Sequence, residues 1–204
     1  MRRILDRYVV EVVERFDLCP WAKSARLGGE VAVEVLWGEP SIGAWVEAGQ
    51  ALLARPEARV AMIVAPESAM SVAELRLVRD RVTSKLPQVG VAHFHPDAVI
   101  DLASPARLVP FLRRSPDRLL QLVPLGLLES VRGAVKPVER ATQVQMLGGM
   151  GPVPRGDVAD RIAEVNHARV SAEQTEVMRV LDAIAADRRA SYARAEIRSS
   201  PSPT

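Results

Sequence analysis

Val60-Ala61-Met62-Ile63-Val64 is an unbroken apolar run. A strand of this kind has no polar face, so it must be covered on both sides by other elements. The segments around it read as helices. Ser41 begins one that carries Trp45, Val46, Leu52 and Leu53. Ser71 and Glu74 have capping-box spacing before Leu75, Val78, Val82 and Leu86. A buried strand between two helices restricts the chain to layered α/β or α+β architectures.

Further strands follow from alternation and apolar runs. Val31, Val33, Val35 and Trp37 alternate with Ala32, Glu34 and Leu36, and Val89 to His95 and Leu119 to Val123 form two more candidates. Leu5, Tyr8, Val9, Val12, Val13 and Phe16 recur at helical spacing, which predicts a helix over 2–16. Pro20 to about Arg26, Pro105 to Arg113 and Leu125 to Arg132 read as shorter helices. The expected fold is a small mixed sheet of about four strands packed by helices, with a C-terminal helical extension. By this reading residues 1–132 form the core domain and 133–156, rich in glycine and proline, form a linker. Residues 157–198 form the helical extension, with a second capping box at Ser171 and Gln174. Residues 199–204 are a disordered tail by composition. Val177, Val180, Leu181 and Ile184 stripe the last helix, which must pack back on the domain or pair with a second copy as a homodimer.

Composition narrows the function classes. The net charge is +2 and aromatics are 4% of 204 residues, with basic residues scattered. That is not the basic stripe with stacking aromatics of a nucleic-acid binder. No apolar run approaches the roughly 18 residues of a spanning helix, and no signal peptide is evident, so no membrane role and a cytoplasmic location are expected. One cysteine excludes an intramolecular disulfide and fits a reducing compartment.

That cysteine, Cys19, lies in Leu18-Cys19-Pro20-Trp21-Ala22-Lys23. A helix starting at Pro20 would make Cys19 its N-cap and put Lys23 one turn inside. Helix dipole and ammonium would then bias the thiol toward thiolate. The opposite reading is a small buried hydrophobe. His93-Phe94-His95-Pro96-Asp97 is the second candidate, at a strand end. His93 and His95 would share a face and could ligate a metal with a third donor. Arg114 and Ser115 could clamp a carboxylate or phosphate, or could end a solvated helix. His167, on an arginine-rich helix, reads as a surface residue.

The three motifs together resemble the bacterial domain-of-unknown-function 1415 family. Leu18–Lys23 is similar to its leucine-cysteine-proline-phenylalanine-alanine-lysine signature, Phe94–Asp97 to its second motif and Arg114–Pro116 to its third. The resemblance spans about residues 2–132 and brings no established activity. It implies that Cys19, Lys23, His95, Asp97, Arg114 and Ser115 belong to one site. Arg113, Gln121 and Pro124 depart from the family pattern, and Asn166 is similar to a late family asparagine. Three functions stay open. One is a thiol-dependent enzyme acting on a small anionic metabolite, with Cys19 as nucleophile or redox thiol, His95 and Asp97 as acid/base pair, and Arg114 and Ser115 on the anion. The others are a non-catalytic binding or scaffold protein, and a metal or haem protein using Cys19, His93 or His95. No cofactor is specified by the sequence.

Overall fold

Sequence-local rules fix most of the elements. The computed structural model describes residues 1–128 and 158–199. Ser41 Oγ accepts the Ala44 N–H at 3.2 Å and starts helix α3 (Ile42–Leu53). At α4 (Val72–Lys85) the expected capping box is present: Ser71 Oγ accepts the Glu74 N–H, and Glu74 accepts the Ser71 N–H at 2.8 Å. The other helices are α1 (Arg2–Tyr8), α2 (Ala22–Leu27), α5 (Pro105–Leu108) and α6 (Val158–Ser199). The strands are β1 (Val31–Val35), β2 (Val60–Ala65), β3 (Val89–Phe94) and β4 (Arg118–Pro124).

The four strands form one mixed sheet in the order β1-β2-β4-β3. β1 pairs parallel with β2, starting at Val31 opposite Val60. β4 runs antiparallel to both β2 and β3, with Ala61 opposite Leu122 and Val91 opposite Leu122. β1, β2 and β3 therefore point the same way, and their carboxyl ends share one edge of the molecule. The apolar run at β2 is central, as expected, and alternation splits its side chains between two cores. Ala61, Ile63 and Ala65 pack with Trp45, Leu52 and Leu75 beneath α3 and α4. Val64 faces the opposite core, formed with α1 and α6. Gly49 lets α3 approach the sheet: a Cβ there would lie 2.8 Å from Leu122 Cδ2.

The expected helix over 2–16 is continuous but not uniform. Val9–Glu14 is π-helical, and the Arg15 N–H reaches back five residues to the Val10 carbonyl at 3.1 Å. It ends in a Schellman arrangement: Leu18 N–H bonds Val13 O, Asp17 N–H bonds Glu14 O, and Asp17 adopts φ 46°. Arg169 holds this turn by donating to the Phe16 and Asp17 carbonyls and pairing with the Asp17 carboxylate at 2.9 Å.

The C-terminal helix packs back on the domain. Val170, Val177, Val180, Leu181 and Ile184 enter the same core as Ile4, Leu5, Tyr8, Val12 and Phe16. The stripe that could have paired two copies is thus buried within one chain. α6 consists of two helical segments joined by a kink at Glu173 (φ −116°, ψ 19°), within the Ser171–Gln174 stretch where a second helix start was expected. The helix expected over 105–113 divides into α5 and a 3-10 turn, Phe111–Arg113. The backbone is helical at 125–128, and the rest of the expected helix to Arg132, the 133–156 linker and the 200–204 part of the tail lie outside the described residues.

Candidate functional site

The carboxyl end of β3 opens on a cleft of about 600 Å³, lined by α4, the 97–101 loop, α5 and the 3-10 turn. Ligands of open α/β sheets bind outside the carboxyl ends of the strands, which is where this cleft lies. Its basic side chains are Arg76 and Arg79 from α4, Arg107 from α5 and Arg113 from the 3-10 turn; His93, His95, Asp97 and Asp101 complete its polar lining.

Two of these charges are already paired. Arg107 meets Asp101 at 2.7 Å, and Arg79 pairs with Asp80. Arg76 and Arg113 have no carboxylate partner among the described residues. Burial, and then the neighbouring Arg79, holds the Arg113 guanidinium below its usual range. His93 projects among these arginines. Desolvation and the charges of Arg79, Arg113 and Arg76 push its pKa down to about 4, against the opposing Asp80, so it is a neutral imidazole at physiological pH. Its Nδ1 is buried and has no hydrogen-bond partner among the described residues. A buried polar atom left unpaired is costly, which makes it a ready contact for a ligand.

His95 is of another kind. It is 2% exposed, and both ring nitrogens are occupied: Nε2–H donates to the Met70 carbonyl at 2.9 Å, and Nδ1 accepts the Asp97 N–H at 3.0 Å. Asp97 thus orients His95 through its backbone, while its carboxylate stands 3.8 Å away and largely in solvent. The His95 N–H also bonds the Arg113 carbonyl at 3.0 Å, which ties the end of β3 to the turn that presents Arg113. Both ring nitrogens of His95 are thus engaged in holding the loop that follows β3.

No family model, curated protein or solved structure matches the chain. The site is therefore read from its own geometry. Of the residues expected to act together, His95 and Asp97 line the cleft, whereas Cys19, Lys23, Arg114 and Ser115 do not. Ser115 is buried and donates to the Asp117 carbonyl at 2.5 Å, closing the turn before β4. Arg114 points to α6, with Met178 Sδ at 3.7 Å.

Cys19 corrects the expectation of a lowered thiol pKa. α2 begins at Ala22 with Trp21, not Cys19, at its N-cap. The Trp21 and Ala22 amides do favour a thiolate, but burial outweighs them, Asp17 opposes them too, and the thiol is pushed up. Lys23 acts on Glu14 rather than on the sulfur. Asn166, itself buried, donates to the Leu18 carbonyl at 3.0 Å and fixes the loop beside Cys19. His167 is half-buried and bonded to the Leu102 carbonyl at 2.9 Å, not a free surface residue. Among the described residues no three His, Cys, Asp or Glu side chains cluster to hold a metal ion.

Arg76, Arg79 and Arg107 were not singled out in the sequence, and Arg113 was read only as a departure from the family pattern. Arg76 and Arg79 occupy the outward side of an amphipathic helix, where arginine is ordinary, and only the packing of the 3-10 turn against β3 turns that side into a cleft wall. The available signal was their i, i+3 spacing.

Proposed function

We propose that this protein binds a small anionic metabolite in the cleft at the carboxyl end of β3, in a site that does not use Cys19. The observation that carries this reading is Arg113, half-buried, beside the neutral His93 and without a carboxylate partner among the described residues. A partly buried guanidinium without a counterion gains most from an incoming carboxylate or phosphate, because its own desolvation is already spent. Arg76 adds a second unpaired charge and His93 Nδ1 a hydrogen-bonding group.

This keeps the anionic ligand of the thiol-enzyme reading and moves its recognition from Arg114 and Ser115 to Arg76 and Arg113. The resemblance to the domain-of-unknown-function 1415 family fits it in part, since His95 and Asp97 of the second motif line the cleft. The reduced thiol of Cys19 fits a cytoplasmic setting.

Calorimetric titration with inorganic phosphate against a chloride background tests the proposal. Saturable one-site binding is expected, weakened about 10- to 100-fold by Arg113→Ala, the range for a lost hydrogen bond to a charged group. Arg59→Ala, at an exposed arginine outside the cleft, leaves it unchanged. Absence of saturable binding, or equal loss in both variants, overturns the assignment.

A further inference from the structure

The cleft carries more than charge, and we infer that its ligand is an amphiphile: one anionic head on an uncharged aliphatic body. This deepens the anion-site reading and rests on it. Three observations support the body as well as the head. The volume of about 600 Å³ falls within the roughly 300–1,000 Å³ usual for metabolite pockets and exceeds what a lone ion fills. The 97–101 loop, the start of α4 and the residues after α5 contribute apolar side chains to the lining, Val72, Val99, Val109 and Pro110, in the same space as the arginines. Two of these valines are unusually open, Val99 at 75% exposure and Val72 at 38%.

The charges restrict the ligand further. The unpaired cations, Arg76 and Arg113, gather with Arg79 around His93. Along the loop that carries Val99, the charged groups are Asp97, whose carboxylate is largely in solvent, and Asp101, already engaged by Arg107. A second anionic group at that end would meet Asp97 and, among the described residues, no free cation. A single head at the His93 end, with an aliphatic chain lying over Val99, Val109 and Pro110, satisfies both regions. Phosphate monoesters and carboxylates share this chemistry.

Titration of the intact protein with inorganic phosphate and then with methyl, butyl and hexyl phosphate separates the two levels of the reading. Affinity is expected to rise by about fourfold per methylene buried until the cleft is filled. Val99→Ser and Val72→Ser, both at exposed positions, should flatten this series and leave inorganic phosphate binding as it was. Arg113→Ala should weaken every member alike. Phosphate binding with no dependence on chain length overturns the amphiphile and leaves the anion site standing. No binding by any member overturns both. A series that rises equally in Val99→Ser, Val72→Ser and wild type also overturns it, because the body would then lie elsewhere.

Discussion

At Cys19 two opposing effects meet on one sulfur. The amides of Trp21 and Ala22 favour the thiolate, and burial disfavours it more. Tyr8, fully covered by the core, lies within electrostatic range of the same sulfur. Alkylation with iodoacetamide across pH should therefore show an apparent pKa above the roughly 8.5 of a free thiol, and slower labelling near neutrality than a reference peptide. Fast labelling with an apparent pKa below the reference would restore the nucleophile. The motif made a helix start at Pro20 legible to within two residues, because proline chemistry is local. The sequence left the choice between a reactive and a buried thiol open, because what decides it includes a loop pinned by Asn166, 148 positions from the carbonyl it binds. His93 shows the same limit: its place on a strand could be read, but the burial that keeps it neutral, and the arginines that add to it from two other elements, could not.

The element whose role is least visible in the sequence is α6. Its apolar stripe was legible, its partner was not. Beyond the stripe, Arg188 donates to the carboxylate of Asp117, which is 2% exposed, and to the Pro66 carbonyl at 2.7 Å. Tyr192 completes the clamp, its hydroxyl 2.9 Å from the second carboxylate oxygen and its ring beneath the guanidinium. Asp117 begins the turn into β4, so the clamp fastens α6 to the centre of the sheet. Arg188→Ala leaves a buried carboxylate without its cation, and a loss of about 3–5 kcal/mol is expected in urea unfolding. Adding Asp117→Asn should recover part of that loss, since it removes the orphaned charge; a strictly additive double variant would show that the two groups do not act as a pair. The capped helices α3 and α4 and the four strands were readable because caps and alternation are short-range. The division of 105–113 was not, since it depends on packing beyond the segment.

For the whole molecule, the consequence is a three-layer arrangement in which one covering layer is built from the two ends of the described chain. Arg3 bonds Asp187 at 2.6 Å, and Arg7 reaches the same carboxylate. Removal of residues 158–199 should therefore not yield a smaller folded domain. It uncovers Ile4, Leu5, Tyr8, Val12 and Phe16 together, and loss of a cooperative thermal transition is expected. A truncated protein that melts cooperatively would make α6 an appendage after all. The same closure bears on how the protein folds. In the folding chain the apolar side of α1 stays bare until Val170 to Ile184 reach it. Contacts between segments so far apart in sequence close late, which slows folding and leaves apolar surface exposed in partly folded states.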